Sequence, residues 1–135
     1  MNSEAITNTV ADRVEKFAKL HTLNYEFTHE DGAYVWRFAV QPGLVREMQF
    51  ALSNGDELSF GVADFWSYFF PAPAINDHFF DIVSAWMAGE ARIAIFPGRR
   101  RRLDIRKNEQ WVPVYNANGC LWPSLRGPRE FLNNK

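Results

Sequence analysis

The chain has a single cysteine, Cys120, among 135 residues. One cysteine excludes an internal disulfide framework and a cysteine-based zinc cluster. No apolar window approaches the ~18 residues of a membrane span, and the start, Met1-Asn2-Ser3-Glu4-Ala5-Ile6, lacks the basic stretch and apolar run of a secretory leader. These absences predict an unexported, cytoplasmic protein that does not engage membranes. Signature motifs are missing as well: there is no G-x-x-x-x-G-K-[ST] phosphate loop, no G-x-G-x-x-G turn, no G-x-S-x-G elbow and no H-E-x-x-H helix. Nothing in the residues asks for a cofactor or a metal. Repeats and low-complexity linkers are also absent, so the length predicts one domain covering 1–135.

What is abundant is apolar and aromatic: 47% of the residues are hydrophobic, with 12 Phe, 5 Trp and 4 Tyr, and the net charge is only -1. Such a chain can bury a large core. The small net charge is an average over unlike parts. Residues 1–89 carry 5 basic and 12 acidic side chains, a net of −7, whereas residues 90–135 carry 10 basic and 4 acidic, a net of +6.

Ile6, Val10, Val14, Phe17 and His21 recur at helical spacing and predict an N-terminal helix. From residue 23 the period becomes two. Tyr25, Phe27 and His29 alternate with polar residues, Tyr34, Trp36, Phe38 and Val40 define a strand over 33–41, and Met48, Phe50 and Leu52 define a third. Asn54-Gly55 is the strongest hairpin signal, because both residues tolerate the positive φ of a type I′ turn, and Leu58, Phe60 and Val62 then complete a four-stranded meander. Residues 64–73 show no clean period, end in two prolines, and read as a linking segment with at most a short helical turn. A second helix is expected from Asn76 or Asp77 through Met87, followed by three strands around Ala91, residues 99–106 and residues 110–115. The tail over about 123–135 reads as irregular. Together these predict an α+β domain of order α-ββββ-α-βββ, with an antiparallel sheet and two helices packed on it; whether the two β portions form one sheet or two is left open.

The densest chemical feature is the run Arg99, Arg100, Arg101 and Arg102, with Arg106 behind it. Strand alternation puts Arg100, Arg102 and Asp104 on one face and Arg99, Arg101, Leu103 and Ile105 on the other. Planar guanidinium groups suit an acidic partner surface or a phosphate; charges on a hairpin edge also deter aggregation and pair with acids elsewhere in the fold. Trp111 offers a stacking ring nearby. Five aromatics in residues 65–70 exceed what one short segment can bury, which makes Trp66 and Tyr68 candidates for an interaction patch. Asp77, His78 and Asp81 could assemble an acid-base or pocket site at the start of the second helix, although Asp77 is equally suited to the dipole there. Cys120 becomes a nucleophile only if the fold brings His21, His29 or His78 to it.

These residues point to a small intracellular, non-catalytic binding protein with a protein partner. By analogy of size and architecture alone, that reading includes immunity-type and chaperone-type roles. The competing expectation is a small-ligand binder or enzyme with a pocket between sheet and helices, lined by Trp36, Trp66 or Trp86 and by His78. Homo-oligomerisation through the surplus aromatics is a third. A pI of about 6.3 and the absence of any known nucleic-acid motif argue against nucleic acid.

Overall fold

The structure, a computed structural model, describes residues 3–117 and 127–135. Helix α1 (Ser3–His21) buries the stripe Ile6, Val10, Val14 and Phe17, while Glu15 and Lys19 pair on its outer side at 3.1 Å. Strands β1 (Glu26–Glu30), β2 (Ala33–Phe38), β3 (Met48–Ser53) and β4 (Glu57–Val62) follow as an antiparallel meander. Their register lines up Phe27, Trp36, Phe50 and Phe60 on the face that meets the helices. Asn54 and Gly55 take φ of 55° and 67°, as a type I′ turn requires. Strand β2 stops at Phe38, short of the expected residue 41, because Gln41 and Leu44 exchange backbone hydrogen bonds in a tight reversal.

The segment read as a link is instead a fifth strand. Strand β5 (Phe65–Trp66) pairs with β4, and the pairing continues through Ser67 N–H to Phe60 and Phe69 N–H to Leu58. A period of two was therefore present: Phe65, Ser67 and Phe69 are buried, while Trp66 is half-buried and Tyr68 and Phe70 are exposed. The serine in the buried set disguised it. Ser67 Oγ resolves its own burial by bonding to the backbone of Phe60.

Trp66 lies across Gly61, where a Cβ would collide with ring atoms Cε3 and Cζ3. Gly61→Ala should therefore cost about 1–2 kcal/mol by pushing the indole off the sheet. Urea denaturation measures the loss and the emission of Trp66 reports the displacement; a variant as stable as the parent would disprove the packing argument.

Helix α2 (Ala72–Met87) begins four residues before Asn76, with Pro71 at its N-cap. The prolines that looked like breakers are tolerated, since N–H groups of the first turn have no intrahelical acceptor to lose. The remaining strands β6 (Ala91–Ile95), β7 (Arg101–Lys107), β8 (Gln110–Ala117) and β9 (Glu130–Leu132) form a separate sheet of order β8-β7-β6-β9. Among the described residues the β portions thus make two antiparallel sheets of five and four strands in one α+β fold. Strand β9 corrects the expectation of an irregular tail. It satisfies the second edge of β6, and Asn134 then stitches the terminus to the β2–β3 connection, accepting from Val45 N–H at 2.9 Å and donating to the Gly43 carbonyl at 2.9 Å.

One continuous core joins α1, α2 and the inner faces of both sheets. Phe50 packs edge-on to Phe17 and Phe79, and Phe60 to Trp86; such pairs add roughly 0.5–1.5 kcal/mol each beyond the area they bury. No described helix is long and apolar enough to cross a membrane.

Candidate interaction surface

The arginine run divides according to strand alternation, with very different fates for its members. Arg101 points inward with Leu103 and is only 9% exposed. Its Nε and Nη2 donate to both oxygens of Asp64 at 3.0 and 2.8 Å, and its Nη1 donates to the carbonyls of Phe96, Gly98 and Arg100. That guanidinium is a clasp between the β4–β5 turn and the β6–β7 loop. The hydrogen bonds from Arg101 hold the Asp64 carboxyl below its usual pKa. Arg102 points outward and grips Asp104 with Nε and Nη2, at 2.6 and 3.1 Å. Arg100 lies over the Phe96 ring, 4.4 Å from its centroid, and Arg106 is exposed.

Strand pairing supplies a member that the sequence did not reveal. Arg92 on β6 stands opposite Asp104 and donates to its second oxygen at 3.1 Å. The same guanidinium lies between two rings, 4.3 Å from the centroid of Trp111 and 4.0 Å from that of Phe131. Asp104 is only 1% exposed although it lies on the sheet face away from α2. Its two arginines and their rings form a roof over it. The alternation Ala91-Arg92-Ile93 already placed Arg92 outward, but only the register β9-β6-β7-β8 brings Phe131, Arg92, Asp104 and Trp111 together.

The other candidates separate. Trp66 covers Gly61 on the outer face of the five-stranded sheet, with Tyr68 half-exposed beside it. Asp77 lies inside α2 rather than at its start and pairs with Arg13 of α1 at 2.7 Å. His78 packs edge-on against Phe69, and Asp81 is exposed. Among the described residues no three His, Cys, Asp or Glu side chains gather as metal ligands. His21 packs against Phe17 on α1, and burial lowers its pKa. Cys120 lies outside the described residues.

Of the three tryptophans expected to line a pocket between sheet and helices, Trp86 is wholly buried in the core and Trp66 faces away from it. Trp36 does line a groove, of about 600 Å³, between α1 and the β1–β2 hairpin. Phe27, His29 and Tyr34 form one wall, with His29 stacked on Tyr34 at 4.0 Å between centroids, and Glu4, Thr7 and Asn8 of α1 form the other. A second depression, of about 540 Å³, lies on the outer sheet face beside Trp66 and Arg46.

The chain shows significant similarity to no protein family, no curated protein and no solved structure.

Proposed function

We propose that this is a non-catalytic intracellular binding protein that docks an acidic protein partner on the outer face of its four-stranded sheet. The observation that carries this reading is the guanidinium of Arg92 held between Trp111 and Phe131, with Arg100 seated on Phe96 farther along the sheet. Arginine and large aromatics dominate interface hot spots, and prior stacking reduces the entropy lost when a carboxylate engages the remaining N–H donors. Asp104 balances only part of the positive charge of Arg92, Arg100, Arg102 and Arg106. A net positive field therefore remains to steer an acidic surface.

Arg100 and Arg106 are the residues to reverse, because Arg101 and Arg102 are engaged in the fold. Partners captured from the native cell should bind Arg100→Glu/Arg106→Glu at least about tenfold more weakly, with a shallower salt dependence. A specific partner that binds the double variant with unchanged affinity and salt dependence would remove this reading.

A further inference from the structure

Among the described residues each sheet has two edges, and three of the four are blunted. Strand β5 has two residues in regular pairing, followed only by the separate bonds of Ser67 and Phe69, and β9 has three, while β8 carries Pro113 and a bulge between Leu103 and Asp104 of its neighbour. Short strands, proline and bulges are the usual protections of an open edge. Strand β1 has none of them: its five residues pair with β2 in unbroken register, and no described strand pairs with its other side. Its outer face carries Glu26, Thr28 and Glu30, and its inner face Phe27 and His29. Among the described residues neither glutamate has an ion-pair partner, although Arg37 of β2 stands opposite Glu26 in the register.

We propose that β1 accepts an extended, basic segment of a partner protein as a sixth strand, with alternate apolar side chains of that segment entering the groove beside α1. The reading is independent of the basic face. Charged residues alone would protect an edge, but protection does not require Phe27 to stay 51% exposed on the face that meets the helices, beside a groove of about 600 Å³. An added strand would cover that ring while its backbone satisfied the open ladder. Charge selects the occupant. A second copy of β1 paired antiparallel about Thr28 would set Glu26 against Glu30 of the other chain, which is unfavourable. Lysine or arginine at those positions would meet Glu26 and Glu30 on the outer face, with Asp31 in the adjoining turn and Glu4 at the groove adding to the same field. The recognised pattern is basic, apolar, polar, apolar, basic.

The probe is a fluorescein-labelled peptide Lys-Leu-Thr-Leu-Lys, whose palindromic order serves either strand direction, read by anisotropy against the full chain. Saturable binding below about 1 mM is expected, weakened about tenfold or more by Glu26→Lys/Glu30→Lys. Binding should be lost when the peptide lysines become glutamates or when every peptide backbone nitrogen is methylated. Both substituted residues are exposed, and circular dichroism verifies that the variant is folded. The proposal is overturned by no binding to the parent protein, by equal binding of the methylated peptide, or by unchanged affinity of the double variant. Sedimentation showing a dimer that the peptide dissociates would assign the edge to a second copy instead, and would equally overturn it.

Discussion

Asp104→Ala should destabilise the protein by about 3–5 kcal/mol, the range seen when one partner is removed from a buried charge cluster. The carboxylate is 1% exposed and accepts three hydrogen bonds, two from Arg102 and one from Arg92. Without it, two guanidinium groups whose side chains are 22% and 24% exposed face each other across β6 and β7 with no anion between them. The melting temperature should fall by roughly 10–20 °C. Removing a cation as well separates the charge effect from simple packing loss: Asp104→Ala/Arg102→Leu should recover part of the deficit, because fewer buried charges remain unbalanced. Denaturant titration of these two variants and of Arg102→Leu alone measures this. A single variant within 1 kcal/mol of the parent, or a double variant less stable than the sum of its parts, would show that the cluster does not hold the sheet.

Arg101→Ala is the second large effect, expected at about 2–4 kcal/mol. Its cost has a different origin. Truncation leaves no unbalanced buried charge, since Asp64 is 64% exposed and rehydrates, but it removes the donor to the carbonyls of Phe96, Gly98 and Arg100 that shape the β6–β7 loop. Asp64→Asn should be milder, about 1 kcal/mol, because Asn keeps an acceptor oxygen and Arg101 keeps its three carbonyl partners. Acid titration distinguishes the two halves of the clasp. Asp64 titrates below its ordinary value of 3.8 in the folded protein, so the unfolded chain takes up the proton first as the pH falls. The stabilisation is complete above that ordinary value and is lost as the pH drops through the folded one. In Arg101→Ala this contribution to acid sensitivity should vanish. Unchanged stability together with an unchanged acid slope would refute the clasp.

The same contacts explain why the arginine run does not act as one unit. Alternation correctly separated Arg100, Arg102 and Asp104 from Arg101, because it is a property of the strand itself. It could not show that Arg101 reaches an aspartate 37 residues earlier in the chain, or that Arg92 stacks on rings from β8 and β9. Both depend on which strands become neighbours. Likewise, residues 65–70 hid their period because Ser67 occupies a buried position that only a bond to Phe60 makes tolerable. The start of α2 was misread because prolines in a first turn look, in sequence, like the end of a loop.

The α+β class, the amphipathic stripe of α1, the meander with its Asn54-Gly55 turn and the aromatic identity of the core were all legible in the residues alone. All are set by local periodicity and φ preference, which act within a few residues. The sequence also held the split of −7 and +6 between residues 1–89 and 90–135. Tertiary structure decided how those charges are used. It engaged Arg101 and Arg102 in ion pairs, stacked Arg92 against Trp111 and Phe131, paired Asp77 with Arg13, and left Glu26 and Glu30 on a strand whose other side no described strand pairs. The reason is physical: whether a charge is free or engaged depends on distances of a few ångströms between strands, and that neighbourhood exists only once the sheets have formed.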